Sequence, residues 1–276
     1  MSKPHPLVTA MLYGLLTIGA VIALLPFVWV LLGAFKSQAE IMAAPGAWLP
    51  RNFTNLANFL TLFTERMFGR YMANSLLVSA ATVITNVLFA TMAGYALAKL
   101  EFPGHKLVFG CVLAAMMVPY VALFVPQFVI IVQMGLVNTL TAVVLPIAVM
   151  PIGVFIMRQF ADSVPDELLE AARLDGAGEF TIFFRIFLPL VGPAIATVAI
   201  ITFLNSWNYF LWSLIVAQNQ ETYTLPVGLA VASQGARSTE YGLLLAGAIV
   251  VLMPVLILFL FLQKYFVQGI AGTGIK

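Results

Sequence analysis

Between residues 107 and 157, and again between 186 and 220, the sequence contains no Asp, Glu, Lys, Arg or His. A soluble domain carries about one charged residue in four, so uncharged tracts of this length point to a chain that folds in lipid. The rest of the composition agrees: 62% of residues are apolar and 9% charged, with a mean hydropathy of +1.03. About 20 apolar residues cross the bilayer core as a helix. The expected fold is therefore all-α, a polytopic membrane protein forming one domain over residues 1–276.

Six tracts have the length of a span: about 11–35, 74–98, 107–132, 139–157, 194–217 and 241–263. The first is longer than the apolar part of a cleavable signal peptide, usually 7–15 residues, and is read as a retained helix with cleavage as the alternative. Residues 36–71 form an exposed loop with a short amphipathic helix near 59–67. Pro119 and Pro126 should bend the third span, because each removes a backbone N–H. Six spans put both ends on one side. Lys and Arg mark cytoplasmic loops. With a cytoplasmic N-terminus, Lys3, Lys99, Lys106, Arg158, Arg173, Arg185, Lys264 and Lys276 lie inside, and Lys36, Arg51, Arg66, Arg70 and Arg237 outside. The expected location is thus a cytoplasmic (inner) membrane, with both termini cytoplasmic. A net charge of +2 gives no nucleic-acid footprint, and a lone Cys111 in an apolar run reads as a small packed hydrophobe.

Residues 158–193 interrupt this apolar chain. They hold six of its eleven acidic residues, Asp162, Asp166, Glu167, Glu170, Asp175 and Glu179, and cannot lie in hydrocarbon. Two short helices joined by a glycine turn are expected. Ser163 is a candidate N-cap, Pro165 suits an opening turn, and Asp166 and Glu167 suit the positive end of the helix dipole. Leu168, Leu169, Ala171, Ala172 and Leu174 recur at roughly helical spacing, and Gly176 stops the helix. Phe180, Phe183, Phe184 and Phe187 give the second helix an apolar side, and Pro189 marks the return to the membrane. Caps, a turn and a small-residue face exceed what a passive linker needs, and they suggest a docking element in which Glu170 offers a charge to a partner.

The residues Glu170-Ala171-Ala172, Asp175-Gly176-Ala177, Ile186, Leu188-Pro189-Leu190 and Pro193 resemble the EAA motif of permease subunits in bacterial binding-protein-dependent ABC importers, and Phe183 joins them as a candidate coupling residue. The fifth span with Thr224 to Gly228, the loop Tyr95 to Gly104 and the segment 263–269 resemble the carbohydrate-uptake branch, of which the maltose permeases are familiar members. The resemblance implies that 158–193 carries a coupling helix seated on a cytoplasmic ATPase. It further implies a second permease subunit, a dimeric ATPase that binds ATP and Mg, and an extracytoplasmic solute-binding protein as partners. This chain itself is then expected to bind no cofactor or metal and to catalyse no reaction.

The residues read without that resemblance agree on the energy source. Ion-driven carriers keep ionisable groups in the membrane, and none occurs in the tracts above; nor does a Walker A sequence. Energy must come from another polypeptide. The neutral polar groups in the spans are Asn74, Asn86, Gln127, Gln133, Asn205, Ser206 and Asn208, each a candidate interhelical bond. Asn205, Trp207, Asn208, Tyr209, Phe210 and Trp212 form a denser cluster. Amides between aromatic rings suit a neutral, hydroxyl-rich solute, and these six are the candidate pathway residues; an aromatic belt at the membrane edge is the alternative. The cargo reading is a sugar, with glycerol phosphate or another polar solute as the alternative. A scaffold is another alternative, but kinked spans with polar clusters are more than a scaffold requires. An intramembrane enzyme fits poorly, because His5 and His105 lie outside the spans and neither HExxH nor GxSxG occurs.

Overall fold

The computed structural model describes residues 6–234 and 239–272, and the side chains of 7–234 and 239–261. Lys3, His5, Arg237 and Lys276 lie outside the described residues, as do the side chains of Lys264 and of the 263–269 segment. In chain order the helices are α1 (Pro6–Ala34), α2 (Gln38–Ala43), α3 (Ala57–Thr64), α4 (Phe68–Lys99), α5 (His105–Met117), α6 (Phe124–Gln133), α7 (Leu140–Val144), α8 (Pro151–Asp162), α9 (Asp166–Leu174), α10 (Glu179–Ile182), α11 (Leu188–Leu190), α12 (Gly192–Trp207), α13 (Phe210–Val216), α14 (Leu225–Ala232) and α15 (Tyr241–Gly272). Short 3-10 turns at Tyr120–Leu123 and Leu145–Ile147 and a π turn at Phe183–Phe187 lie between them. The helical, polytopic fold class read from the sequence is the observed one.

Among the described residues three helices are individually long and apolar enough to cross a membrane: Leu7–Ala34, Phe68–Lys99 and Tyr241–Phe261. Three further crossings exist only if bent helix pairs count as one span each. His105–Met117 and Tyr120–Gln133 meet at 97°, Leu140–Ile147 and Pro151–Asp162 at 43°, and Glu179–Leu190 and Gly192–Trp207 at 80°. The third expected span does bend at Pro119, whereas Pro126 sits in the first turn of α6, where a missing N–H costs nothing. The fifth expected span, 194–217, is not one helix. It stops at Trp207 and restarts at Phe210.

Two compact units make up the chain, residues 1–69 with 228–254 and residues 70–227 with 255–276. In the first unit α1 is apolar on all sides and exposed along most of its length, as a lipid-facing helix should be. The segment that follows α1 is held by contacts within this unit. Lys36 is buried and donates to the carbonyl of Ala47, Asn58 Nδ2 donates to Ala34 O and Lys36 O at 2.8 Å each, and Arg66 pairs with Glu240 at 3.1 Å. Lys36 and Arg66, two of the basic residues that the sequence reading assigned to the outer side, thus both have partners within this unit. The short helix expected near 59–67 is α3, ending at Thr64.

The second unit is built around α4. Its core holds Tyr95, Val154, Met157, Ala161, Leu169, Ile182, Phe183 and Phe187 near one end. A separate buried cluster of Val78, Phe124, Ile131, Ala142, Val143, Trp212 and Val216 lies elsewhere in the unit. Neutral polar groups tie the 218–224 loop to α4 and to the loop before α7. Asn74 Nδ2 donates to the carbonyls of Glu221 and Tyr223 at 2.8 and 2.9 Å. Asn138, with φ +62°, accepts from Gln218 N–H at 2.9 Å, Asn219 N–H at 3.2 Å and the Thr222 hydroxyl at 2.6 Å.

Candidate functional site

The polar loop contains two helices and a glycine turn, as its signals require, but two details differ. Helix α8 runs on to Asp162, five residues past the expected end of the fourth span. Ser163 therefore follows its C-terminus, and its hydroxyl donates back to Phe160 O at 2.7 Å instead of capping α9. The N-cap position of α9 is Pro165 itself. At the other end Gly176 has φ +81°. Gly176 N–H donates to Arg173 O and Ala177 N–H to Ala172 O, both at 3.0 Å, the paired bonds of a Schellman stop.

Residues of the second helix divide differently from expectation. Phe183 and Phe187 are buried, while Phe180 is 75% exposed and Phe184 50%. Four phenylalanines do not share one face because the backbone widens into the π turn, where Leu188 N–H reaches Phe183 O, just ahead of Pro189. Of the neighbouring alanines, Ala172 is buried in the core and Ala171 faces outward. Glu170, Asp175 and Pro189 are exposed, Ile186 and Ala177 half-buried. The outward surface also carries Leu174, 89% exposed, with Leu168, Phe180 and Phe184. Exposed large apolar side chains call for cover, by a partner chain or by lipid. Sequence reasoning did not single out Leu174 as outward-facing; its position one turn after Ala171 was the available signal.

Below this surface the loop is tied to the end of α4. Tyr95 donates its hydroxyl to Glu179 Oε2 at 2.8 Å, and Arg173 Nε donates to Glu179 Oε1 at 2.7 Å. The Arg173 bond, reinforced by the one from Tyr95, holds the Glu179 carboxyl below its usual range, and the same pairing raises Arg173. Lys99, whose side chain is 4% exposed, donates to Asp166 Oδ1 and Val164 O at 2.6 Å each. A mixed-charge cleft of about 1340 Å³ opens beside these bonds, lined by the 97–106 segment and by Arg158, Asp166, Glu170, Arg173 and Glu179. Arg158 packs its guanidinium 4.1 Å from the centre of the Phe109 ring.

A second cavity, of about 940 Å³, lies where three helix breaks meet. Val118 and Pro119 come from the α5 bend, Val149 and Met150 from the α7–α8 bend, and Asn208 and Tyr209 from the α12–α13 interruption. Tyr209 has φ −78° and ψ 61°, and Phe210 N–H donates to Asn208 O at 2.7 Å, an inverse γ-turn. Irregular backbone at membrane depth is tolerated where it lines a cavity. The wall is neutral: besides apolar groups it presents Gln127, Asn205, Asn208, Tyr120 and Tyr209. Gln127 Oε1 is buried with no hydrogen-bond partner.

Of the six candidate pathway residues, this cavity gathers Asn205, Asn208 and Tyr209. Trp207 and Trp212 are fully buried inside the unit and Phe210 is half-buried; none of these three lines it. Sequence reasoning missed Met116, Tyr120 and Met150; Tyr120 and Met150 adjoin Pro119 and Pro151 and Met116 lies within one turn of Pro119, and that nearness to the bends was the available signal.

Residues 86–272 match the family described as binding-protein-dependent transport system inner membrane component. The chain belongs to that family. As a member of it, the protein is similar over 95% of its length to the arabinooligosaccharides transport system permease protein AraQ of Halalkalibacterium halodurans, 42% identical and covered over 96%. The AraQ protein of Bacillus subtilis is 38% identical, with 92% of this chain and 90% of that one covered. Among solved structures, a chain from a bacterial ABC transporter involved in the import of the acidic polysaccharide alginate superposes with a TM-score of 0.85. It covers 96% of this chain and all of that one at 22% identity, which establishes the shared fold. In this chain that fold carries both an exposed polar loop and a neutral cavity at three helix breaks.

Proposed function

We propose that this chain is one transmembrane subunit of an ATP-driven importer of neutral oligosaccharides, with arabinooligosaccharides as the first class to test. The observation that carries the cargo reading is the cavity wall: amides and phenols with no carboxylate, ammonium, guanidinium or imidazole. Amides bond hydroxyl groups and aromatic or methionine side chains cover C–H faces, whereas a phosphate would call for fixed cations. The wall therefore disfavours glycerol phosphate. The similarity to the AraQ proteins, whose names specify arabinooligosaccharides, supports the same class.

In this reading the exposed row on α9 and α10, with Glu170, Ala171, Asp175 and Gly176, seats on a cytoplasmic ATPase dimer. That partner binds ATP and Mg. A second permease subunit completes the pathway, an extracytoplasmic binding protein delivers the solute, and both termini of this chain are cytoplasmic in an inner membrane.

The test is purification of the tagged chain from its native membrane in mild detergent, with mass spectrometry of every co-purifying chain. Recovery of a second permease and a nucleotide-binding subunit supports the reading, and uptake of labelled arabinotriose by the reconstituted complex supports the cargo. Reproducible recovery of this chain alone, still folded, refutes the coupling role.

A further inference from the structure

The loop that bears the docking surface is joined to α8 only through Ser163, Val164 and Pro165, a short non-helical turn. A force applied to α9 could be absorbed there. Lys99 bridges that turn, because its ammonium holds Val164 O within it and Asp166 just beyond it, both at 2.6 Å. A buried ammonium is retained only with partners, so the grip is firm. Tyr95, one turn earlier on α4, holds the far end of the loop through Glu179, and its ring packs on Phe183 and Phe187 with centroids 5.3 and 4.8 Å away.

Helix α4 is in turn seated tightly on α8. A side chain at Gly94 would meet Met157 Cβ at 2.6 Å and Arg158 N at 2.8 Å, and one at Gly153 would meet the Asn86 amide at 3.1 Å. Residues 86, 90 and 94 are spaced by four and form one seam against α8, as small residues do between membrane helices. About 20 Å above Lys99, at 1.5 Å per residue, Asn86 ends the seam. Its Oδ1 accepts from Met150 N–H at 2.8 Å, and its Nδ2 donates to Thr202 Oγ1 at 2.6 Å. Met150 is the residue before Pro151 at the α7–α8 bend and lines the neutral cavity.

We propose that Tyr95 and Lys99 are positioning residues that lock the docking helix to the α4–α8 pair, so that displacement of the docking surface moves the cavity wall at Met150. This inference rests on the coupling role proposed above. A claim of transmission needs a demonstrated effect at the distant end.

The experiment uses the full complex with Cys111→Ser and Val149→Cys, Val149 being a 44% exposed cavity residue. The rate of labelling by a membrane-impermeant maleimide is compared without nucleotide and with ATP–Mg trapped by vanadate. Nucleotide trapping should change the rate about tenfold, within the range of coupling between distant sites. Combined Tyr95→Phe and Lys99→Met should abolish most of that change while the ATPase still co-purifies, and Lys99→Arg with Tyr95 intact should restore it. A purely structural role would lower the yield of complex without altering the ratio of the two rates.

No nucleotide effect in the otherwise native chain overturns the proposal, and so does a full effect in the double variant. Gly176→Val, which disrupts the docking turn, separates this result from the underlying reading. If it abolishes the nucleotide effect while the double variant keeps it, the coupling role stands and the lock through α4 falls. If it too leaves the effect intact, the coupling role falls as well.

Discussion

Trp212 donates its indole N–H to the carbonyl of Ala142 at 2.9 Å, and both residues are fully buried. The bond fastens α13, which follows the Asn208 break, to α7, which precedes the α7–α8 bend. The ring also packs on Phe124, 5.6 Å between centroids. Trp212→Phe keeps much of the apolar volume and removes the donor, which should cost about 1–3 kcal/mol. A lower melting temperature of the detergent-purified complex checks this. Because Trp212 does not line the cavity, uptake per folded molecule should stay near the native value.

The α4–α8 seam makes a graded prediction. At Gly94 an added methyl meets main-chain and Cβ atoms of Met157 and Arg158 at 2.6–2.8 Å; at Gly153 it meets the Asn86 amide and Ala90 at 3.1–3.2 Å. Main chain cannot step aside, so Gly94→Ala should cost about 1–3 kcal/mol, and Gly153→Ala less. The order of melting temperatures should be native, Gly153→Ala, Gly94→Ala. Equal melting temperatures for the two variants would mean that the helices are not in close contact at Gly94.

What the sequence disclosed follows from how local each signal is. The apolar tracts gave the helical membrane fold, and Gly176 gave the α9 stop, because length and positive φ are properties of a few adjacent residues. Pro119 gave the sharp bend at α5. The break at Asn208 was missed, since an inverse γ-turn at Tyr209 leaves no proline or glycine behind. Trp207 and Trp212 were grouped with Asn208 for being neighbours in sequence, yet a helix turns successive residues to different sides, and these two point into the packed interior. The ties from Lys99 to Asp166 and from Tyr95 to Glu179 join residues 67 and 84 positions apart, a relationship that no periodicity in one chain encodes.

Glu179 supplies a pH dependence. Its pairing with Arg173 and Tyr95 depresses its pKa below the usual glutamate value, about 4.3. Its contribution is therefore complete above that value and is lost as pH falls through the lower, folded value. Arg173 is raised from an already high value, so it stays charged through neutral and mildly alkaline pH. Both side chains are more than one-third exposed, so salt should weaken the pair. Hydrogen exchange in residues 173–183, corrected for intrinsic rates, should be level from about pH 8 to 5 and faster below about pH 4. Glu179→Gln should flatten that profile. A profile that stays flat in the native chain would remove Glu179 from the loop's stability.

Asn208 tests the cavity itself. Its side chain is exposed, donates through Nδ2 to Leu204 O at 2.8 Å, and lines the wall at the α12–α13 break. The Oδ1 atom is thus available on the wall to accept from a solute hydroxyl. Asn208→Leu removes that acceptor and adds a branched apolar group to a polar stretch. Losing one such bond should lower uptake about tenfold, equivalent to about 1.4 kcal/mol, with co-purification of the ATPase unchanged because the docking surface is untouched. Uptake of labelled arabinotriose into proteoliposomes provides the measurement. If Asn208→Leu and the native chain transport alike, the solute does not pass this wall, and the three helix breaks serve the packing of the unit instead.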